Sequence, residues 1–354
     1  MLRGQVLEEL KRPADAVTVY RKALERDRTS QDVLLSLVRL CLASGDELAA
    51  LDYLRRFTLQ VDRDVNGLLL AAETYLVMKR HDEAAELARR ARDIGFHEKA
   101  QRILGLVALA RNDYPAAVRH LQRADPDDVV LTGWIEAQLR AGQLGDLERT
   151  IDRARRVTMP SARLRQVVEK GQAALARKKK LRAGVRVEPG KEEAVTRAAE
   201  AVACAELAMA EHLPADVVAT LLQPALAFDA LRGPALAVRA RLALERGHLT
   251  AALADAERAI ALGADGATAY LVRGRVRLER AQPAAVADLE RAATLTGRKD
   301  AEVLAFLADA LHLAGRTAEA VRTLKEATTL RPKDGALAEK LRALEAVGST
   351  KRAG

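Results

Sequence analysis

The chain has 354 residues, 49% of them apolar and only 3% aromatic, with a formal net charge of +9. Strong helix formers (Ala, Leu, Arg, Glu) prevail, and residues that favour strands are sparse, so an all-α protein is expected and sheet folds are set aside. No apolar run approaches the roughly 20 residues needed to cross a bilayer, and no charged segment followed by an apolar one opens the chain as a secretory signal would; a cytoplasmic protein is expected.

In chain order, the first element is LRGQVLEEL, a short helical stretch. A hairpin pattern then repeats. A packing residue recurs at Ala16, Ala50, Ala84, Ala117, Leu147, Val218, Ala252, Ala285 and Ala320, in steps of 34, 34, 33, 30, 71, 34, 33 and 35 residues. Seven residues later stand Ala23, Phe57, Ala91, Ala124, Ala154, Ala225, Ala259, Ala292 and Ala327. Residues seven apart share a helix face, and small ones let a second helix approach closely. Eleven or twelve before the first marker lies another small residue: Gly4, Ala72, Gly105, Ala240, Gly274 and Ala308.

With that period, and small residues at repeat positions 8, 20 and 27, the chain resembles the tetratricopeptide repeat. Residues 301–334 fit best, through Leu304, Leu307, Ala308, Leu311, Gly315, Ala320, Leu324, Ala327 and Pro332. About nine degenerate units cover most of the chain. The resemblance implies a right-handed superhelical α-solenoid of helix hairpins, each covering its neighbour's apolar face. Pentatricopeptide repeats have a longer, 35-residue period and polar reading positions; armadillo and HEAT units are longer still, about 40–47 residues.

The 71-residue step marks an interruption. A helix is expected over about 161–182, an irregular connection over 183–190 (Gly184, Pro189 and Gly190 are poor helix interior), and a helix restarting near Lys191. The expected organisation is an N-terminal array over 1–156, its first helix truncated by register, and a basic helix and linker over 157–190. A second array follows over 191–334, then a capping helix over 335–347 with Leu337, Leu341 and Leu344 on one face, and a disordered tail over 348–354. From Arg153 to Arg186 there are twelve basic residues against Glu169 alone, a net +11, so the rest of the chain sums to −2. That segment, with Arg163, Arg165, Arg177, Lys178, Lys179, Lys180 and Arg182, is a candidate patch for an acidic surface or nucleic acid. No aromatics interleave it, which argues against base stacking.

No catalytic or metal-binding pattern stands out. There is no HExxH or CxxC, and no phosphate-binding Gly loop or GxSxG elbow. Cys41 and Cys204 fall at packing positions and read as buried thiols; Trp134 reads as core. No enzyme activity, cofactor or metal is expected. The remaining candidate site is the groove that the resemblance assigns to the first helix of each hairpin: Arg39, Leu69, Glu73, Arg102 and Leu106 on a mostly apolar N-terminal floor, and Arg241, Leu271, Arg275, Phe306 and Asp309 in the C-terminal array. Residues that grip a terminal carboxylate in co-chaperone members of the family are matched here only by Lys99, so that mode is not expected. The functional expectation is a non-enzymatic adaptor that binds a partner protein or peptide in the groove. The alternative is nucleic-acid or anionic-surface binding through 153–186.

Overall fold

A computed structural model describes residues 2–95, 97–183, 185, 190–264 and 266–350. Among these, twenty helices and no strand are present. The irregular connection expected over 183–190 lies largely outside the described residues, as do Arg186 and the chain end at 351–354.

The chain divides into two compact units, Met1–Gly171 and Gln172–Gly354. The first holds α1 (Leu2–Glu9), α2 (Pro13–Arg26), α3 (Gln31–Ser44), α4 (Glu47–Thr58), α5 (Val65–Val77), α6 (His81–Ile94), α7 (His97–Ala110), α8 (Tyr114–Leu121), α9 (Asp128–Ala141), α10 (Leu147–Ala154) and the start of α11 (Ala162–Ala183). The second holds the rest of α11, then α12 (Glu192–Ala210), α13 (Ala215–Leu226), α14 (Asp229–Glu245), α15 (Leu249–Ala261), α16 (Ala267–Glu279), α17 (Ala285–Leu295), α18 (Ala301–Leu313), α19 (Thr317–Leu330) and α20 (Gly335–Thr350). α20 runs past the expected end of the capping helix. Within each unit a first helix packs on its hairpin partner and on the first helix of the next hairpin, as in α5–α6 and α5–α7, or α14–α15 and α14–α16. The array is therefore an all-helical solenoid in which each hairpin's apolar face is covered by its neighbour.

The markers explain the packing. All nine residues of the first series, from Ala16 to Ala320, are buried. The small residue of the first helix faces the second helix at contact distance. A methyl group on Gly105 would stand 2.5 Å from Leu121 Cδ2, and one on Gly274 would stand 2.7 Å from Leu289 Cγ. Between the two helices of each hairpin sits one residue with left-handed backbone. It is Gly at 45, 142, 247 and 315, but Lys11, Lys79, Asn112, His212 and Ala281 in the other hairpins. Aspartates cap several helices by accepting from backbone N–H groups: Asp46 from Ala49, Asp64 from Asn66, Asp113 from Ala116 and Asp300 from Glu302 and Val303.

At the far end α20 buries Leu337 and Leu344 against the last hairpin, with Leu341 partly covered. Lys340–Asp309 and Lys325–Glu345 pairs tie it to α18 and α19. At the near end, Leu2, Val6 and Leu10 remain exposed in α1 and the turn after it. No helix among the described residues is long and apolar enough to cross a membrane.

Candidate functional site

The first helices of the first unit line two clefts. One, of about 720 Å³, runs along α1, α3 and α5 and is lined by Gln5, Asp32, Leu35, Arg39, Leu42 and Val77. The other, of about 430 Å³, runs along α5 and α7 to the turn before α9 and is lined by Asn66, Leu69, Glu98, Lys99, Arg102, Asp125 and Asp127. Leu70 and Glu73 belong to both, so the clefts join on α5.

Of the residues expected in this groove, Arg39, Leu69, Glu73 and Arg102 line a cleft, and Leu106 does not; Leu106 lies beside the position a Cβ on Gly133 would take. Leu69 and Ile103 are buried between helices, so they serve packing more than contact. The exposed apolar groups are Leu70, 42% exposed, and Val77, 75% exposed. The floor is also far more acidic than expected. Asp32 and Glu98 sit in first helical turns, and Asp125 and Asp127 lie in the turn before α9; reasoning from helix register alone does not reach the turn residues.

The cations of the groove are already paired. Arg102 sits between Glu73, 3.1 Å from Nη1, and Asp127, 3.3 Å from Nε. Asp127 uses its other oxygen to cap α9, accepting from Val130 N–H at 2.7 Å. Arg39 pairs with Glu8, which also accepts from the Tyr20 hydroxyl at 2.8 Å.

In the second unit, Arg241, Arg275 and Phe306 are brought together around Glu302. Arg241 lies 3.0 Å and Arg275 3.4 Å from the Glu302 carboxylate, and the Arg275 guanidinium stacks 4.3 Å from the Phe306 ring centroid. Asp309 is held by Lys340, and Leu271 is buried in the core. The neighbouring arginines are engaged too. Arg239 grips Asp255 and Arg273 grips Asp288, each with two hydrogen bonds, and these carboxylates hold both guanidinium pKa values above the ordinary arginine value. The paired arginines are internal clamps.

The basic segment divides the same way. Arg163 pairs with Glu136, Arg177 makes two 2.7 Å hydrogen bonds to Glu206, and Lys178 pairs with Glu200. Arg165, Lys179, Lys180 and Arg182 are exposed, with no ion-pair partner among the described residues. Arg153 lies over the buried Trp134 ring, 5.4 Å from its centroid. No group of residues able to hold a metal ion occurs among the described residues; the His97 side chain lies outside them. Both cysteines are buried, and burial pushes the Cys204 thiol up to about 12.

A family model for the tetratricopeptide repeat matches residues 1–30 and 301–334, one hairpin at each end of the series. The hairpins between carry the same buried markers and the same left-handed turn residue. The hairpins at 1–30 and 301–334 are tetratricopeptide repeats, and the helices between them form a repeat array. No curated protein matches this tetratricopeptide array in sequence. Among solved structures it is similar to the P58(IPK) TPR domain, at 14% identity over 98% of this chain and 97% of that one, with a TM-score of 0.33. It is also similar to yeast Tom70, at 13% identity over 99% and 95%, with a TM-score of 0.37. Scores this low support no inference about the tetratricopeptide array's partners.

Proposed function

We propose that the protein is a non-enzymatic interaction adaptor whose first unit holds a segment of a partner protein in the joined clefts along α3, α5 and α7. Tetratricopeptide folds commonly serve as protein-interaction scaffolds. The observation that carries the reading is the joined cleft itself. It combines exposed Leu70 and Val77 with fixed polar groups on a preformed helical surface, the composition that binding surfaces favour. Affinity capture from a native lysate tests it, with and without nuclease, using wild type and a Leu70→Ser/Val77→Ser variant. Protein partners that survive nuclease and are lost with the variant support the adaptor; partners unaffected by the variant overturn the assignment to this groove.

The second reading is anionic-surface or nucleic-acid binding by the basic segment, favoured by the exposed Arg165, Lys179, Lys180 and Arg182. Captured material that disappears with nuclease, and whose binding falls steeply between about 50 and 200 mM salt, would establish it.

A further inference from the structure

The joined clefts are chemically polarised. Toward α3 and the end of α5 the wall is apolar, formed by Leu35, Leu42, Leu70 and Val77. Toward α7 it is acidic. Over both clefts five carboxylates (Asp32, Glu73, Glu98, Asp125 and Asp127) face three cations, Arg39, Lys99 and Arg102. Arg102 neutralises Glu73 and Asp127 from within. Arg39 is spent on Glu8. Glu98 and Asp125 are exposed, and in this cleft four carboxylates, Glu73, Glu98, Asp125 and Asp127, stand against two cations, Lys99 and Arg102, which leaves it net negative. The groove therefore has an apolar end and an end with an excess of negative charge.

We infer that the groove takes a basic–apolar peptide segment of another protein, its apolar side chains against Leu70 and Val77 and its Lys or Arg against Glu98 and Asp125. This rests on the groove reading above and names the partner's chemistry. Complementary charge at the rim selects partners and speeds encounter, whereas like charge rejects them. An acidic tail would bring carboxylates against Glu98 and Asp125, while Arg102 in the same cleft is already held on both sides.

The test is fluorescence anisotropy on the full chain with two labelled peptides of equal length and identical Leu positions, one carrying Lys and the other Glu at the intervening sites. The Lys peptide is expected to bind and the Glu peptide to fail. Glu98→Gln/Asp125→Asn should weaken the Lys peptide about three- to tenfold at roughly 50 mM salt, as expected for exposed charge pairs. The difference should shrink at about 500 mM, where exposed charges are screened. Leu70→Ser should weaken it at both salt concentrations. Asp125→Asn alone changes only a turn residue, so a measurable variant remains if the double one is poorly folded.

Stronger binding of the Glu peptide, or Lys-peptide binding indifferent to Glu98 and Asp125, overturns the inference. If the Lys peptide fails while partner capture still depends on Leu70 and Val77, the groove reading stands and the charge assignment falls. Self-association of the purified chain that vanishes in the Glu98→Gln/Asp125→Asn variant would make the occupant a second copy, which also overturns it.

Discussion

The Lys178 ammonium lies 2.6 Å from the Glu200 carboxylate, with 19% and 12% of the two side chains exposed. One residue earlier, Arg177 grips Glu206, so two consecutive cations of the basic run fasten α11 to α12 while Lys179 and Lys180 point to solvent. Removing one partner of a buried pair strands the other charge, at a cost of about 3–5 kcal/mol when burial is complete and less here. Lys178→Met is therefore expected to lower the stability of the second unit by about 2–3 kcal/mol, and Lys179→Ala/Lys180→Ala by under about 0.5 kcal/mol. Urea unfolding followed by circular dichroism separates them, and equal midpoint shifts would refute the division. A test of anionic-surface binding accordingly uses Lys179, Lys180 and Arg182.

The second buried pair is more extreme. Asp288 has 5% of its side chain exposed and accepts from both Arg273 and Arg277. Asp288→Ala strands Arg273 and leaves Arg277 only the more distant Glu257, 3.7 Å away, and a loss of about 3 kcal/mol is expected. Asp255→Ala removes a more exposed clamp on Arg239, and its thermal shift should be clearly the smaller of the two.

Helix propensity alone favours Ala over Gly at Gly105 by about 1 kcal/mol. Contact with Leu121 opposes it, since the new methyl would meet Cδ2 and Cγ at 2.5 and 2.6 Å. Overpacking of this kind costs about 1–3 kcal/mol, so Gly105→Ala should destabilise. A variant as stable as wild type would mean that α7 and α8 part easily. At the hairpin turns the sign reverses: Ala281 sits at φ 50°, a conformation costly for any side chain. Ala281→Gly should raise stability by about 0.5–1 kcal/mol, and Gly45→Ala, from φ 80°, should lower it by a similar amount.

Burial, aided by Arg119, Arg92 and Arg123, holds the His120 pKa below the ordinary histidine value; its Nδ1 lies 2.6 Å from Gln101 Oε1. The unfolded chain therefore takes up this proton first, near pH 6.5. His120 costs no stability above that pH, and stability falls as pH drops from about 6.5 toward the folded value. Melting at about pH 7.5 and 5.5 should show a larger acid loss for wild type than for His120→Gln. Parallel losses would show that His120 is not held neutral.

How much of the groove was legible is a matter of register. Arg39, Glu73 and Arg102 were placed because a fixed helical period assigns each position to a face. Leu70, which follows Leu69 on α5, is 42% exposed. Glu98 opens α7, and Asp125 and Asp127 precede α9, where the chain direction changes and periodicity carries no information. The arginine-rich helices α14 and α16 looked open to a ligand because their acidic partners lie elsewhere in the chain: Asp255 and Asp288 on second helices, and Glu302 one or two hairpins onward.

By itself the sequence determined the hairpin, its repeat and the residues that must be small where helices meet, because these follow from local periodicity repeated at near-constant spacing. Only the tertiary structure decided which charges remain available. Lys178 and Lys179 are adjacent and chemically identical, yet one closes a buried pair with Glu200 and the other faces water. That difference depends on which helix packs against which, and on the desolvation such packing imposes.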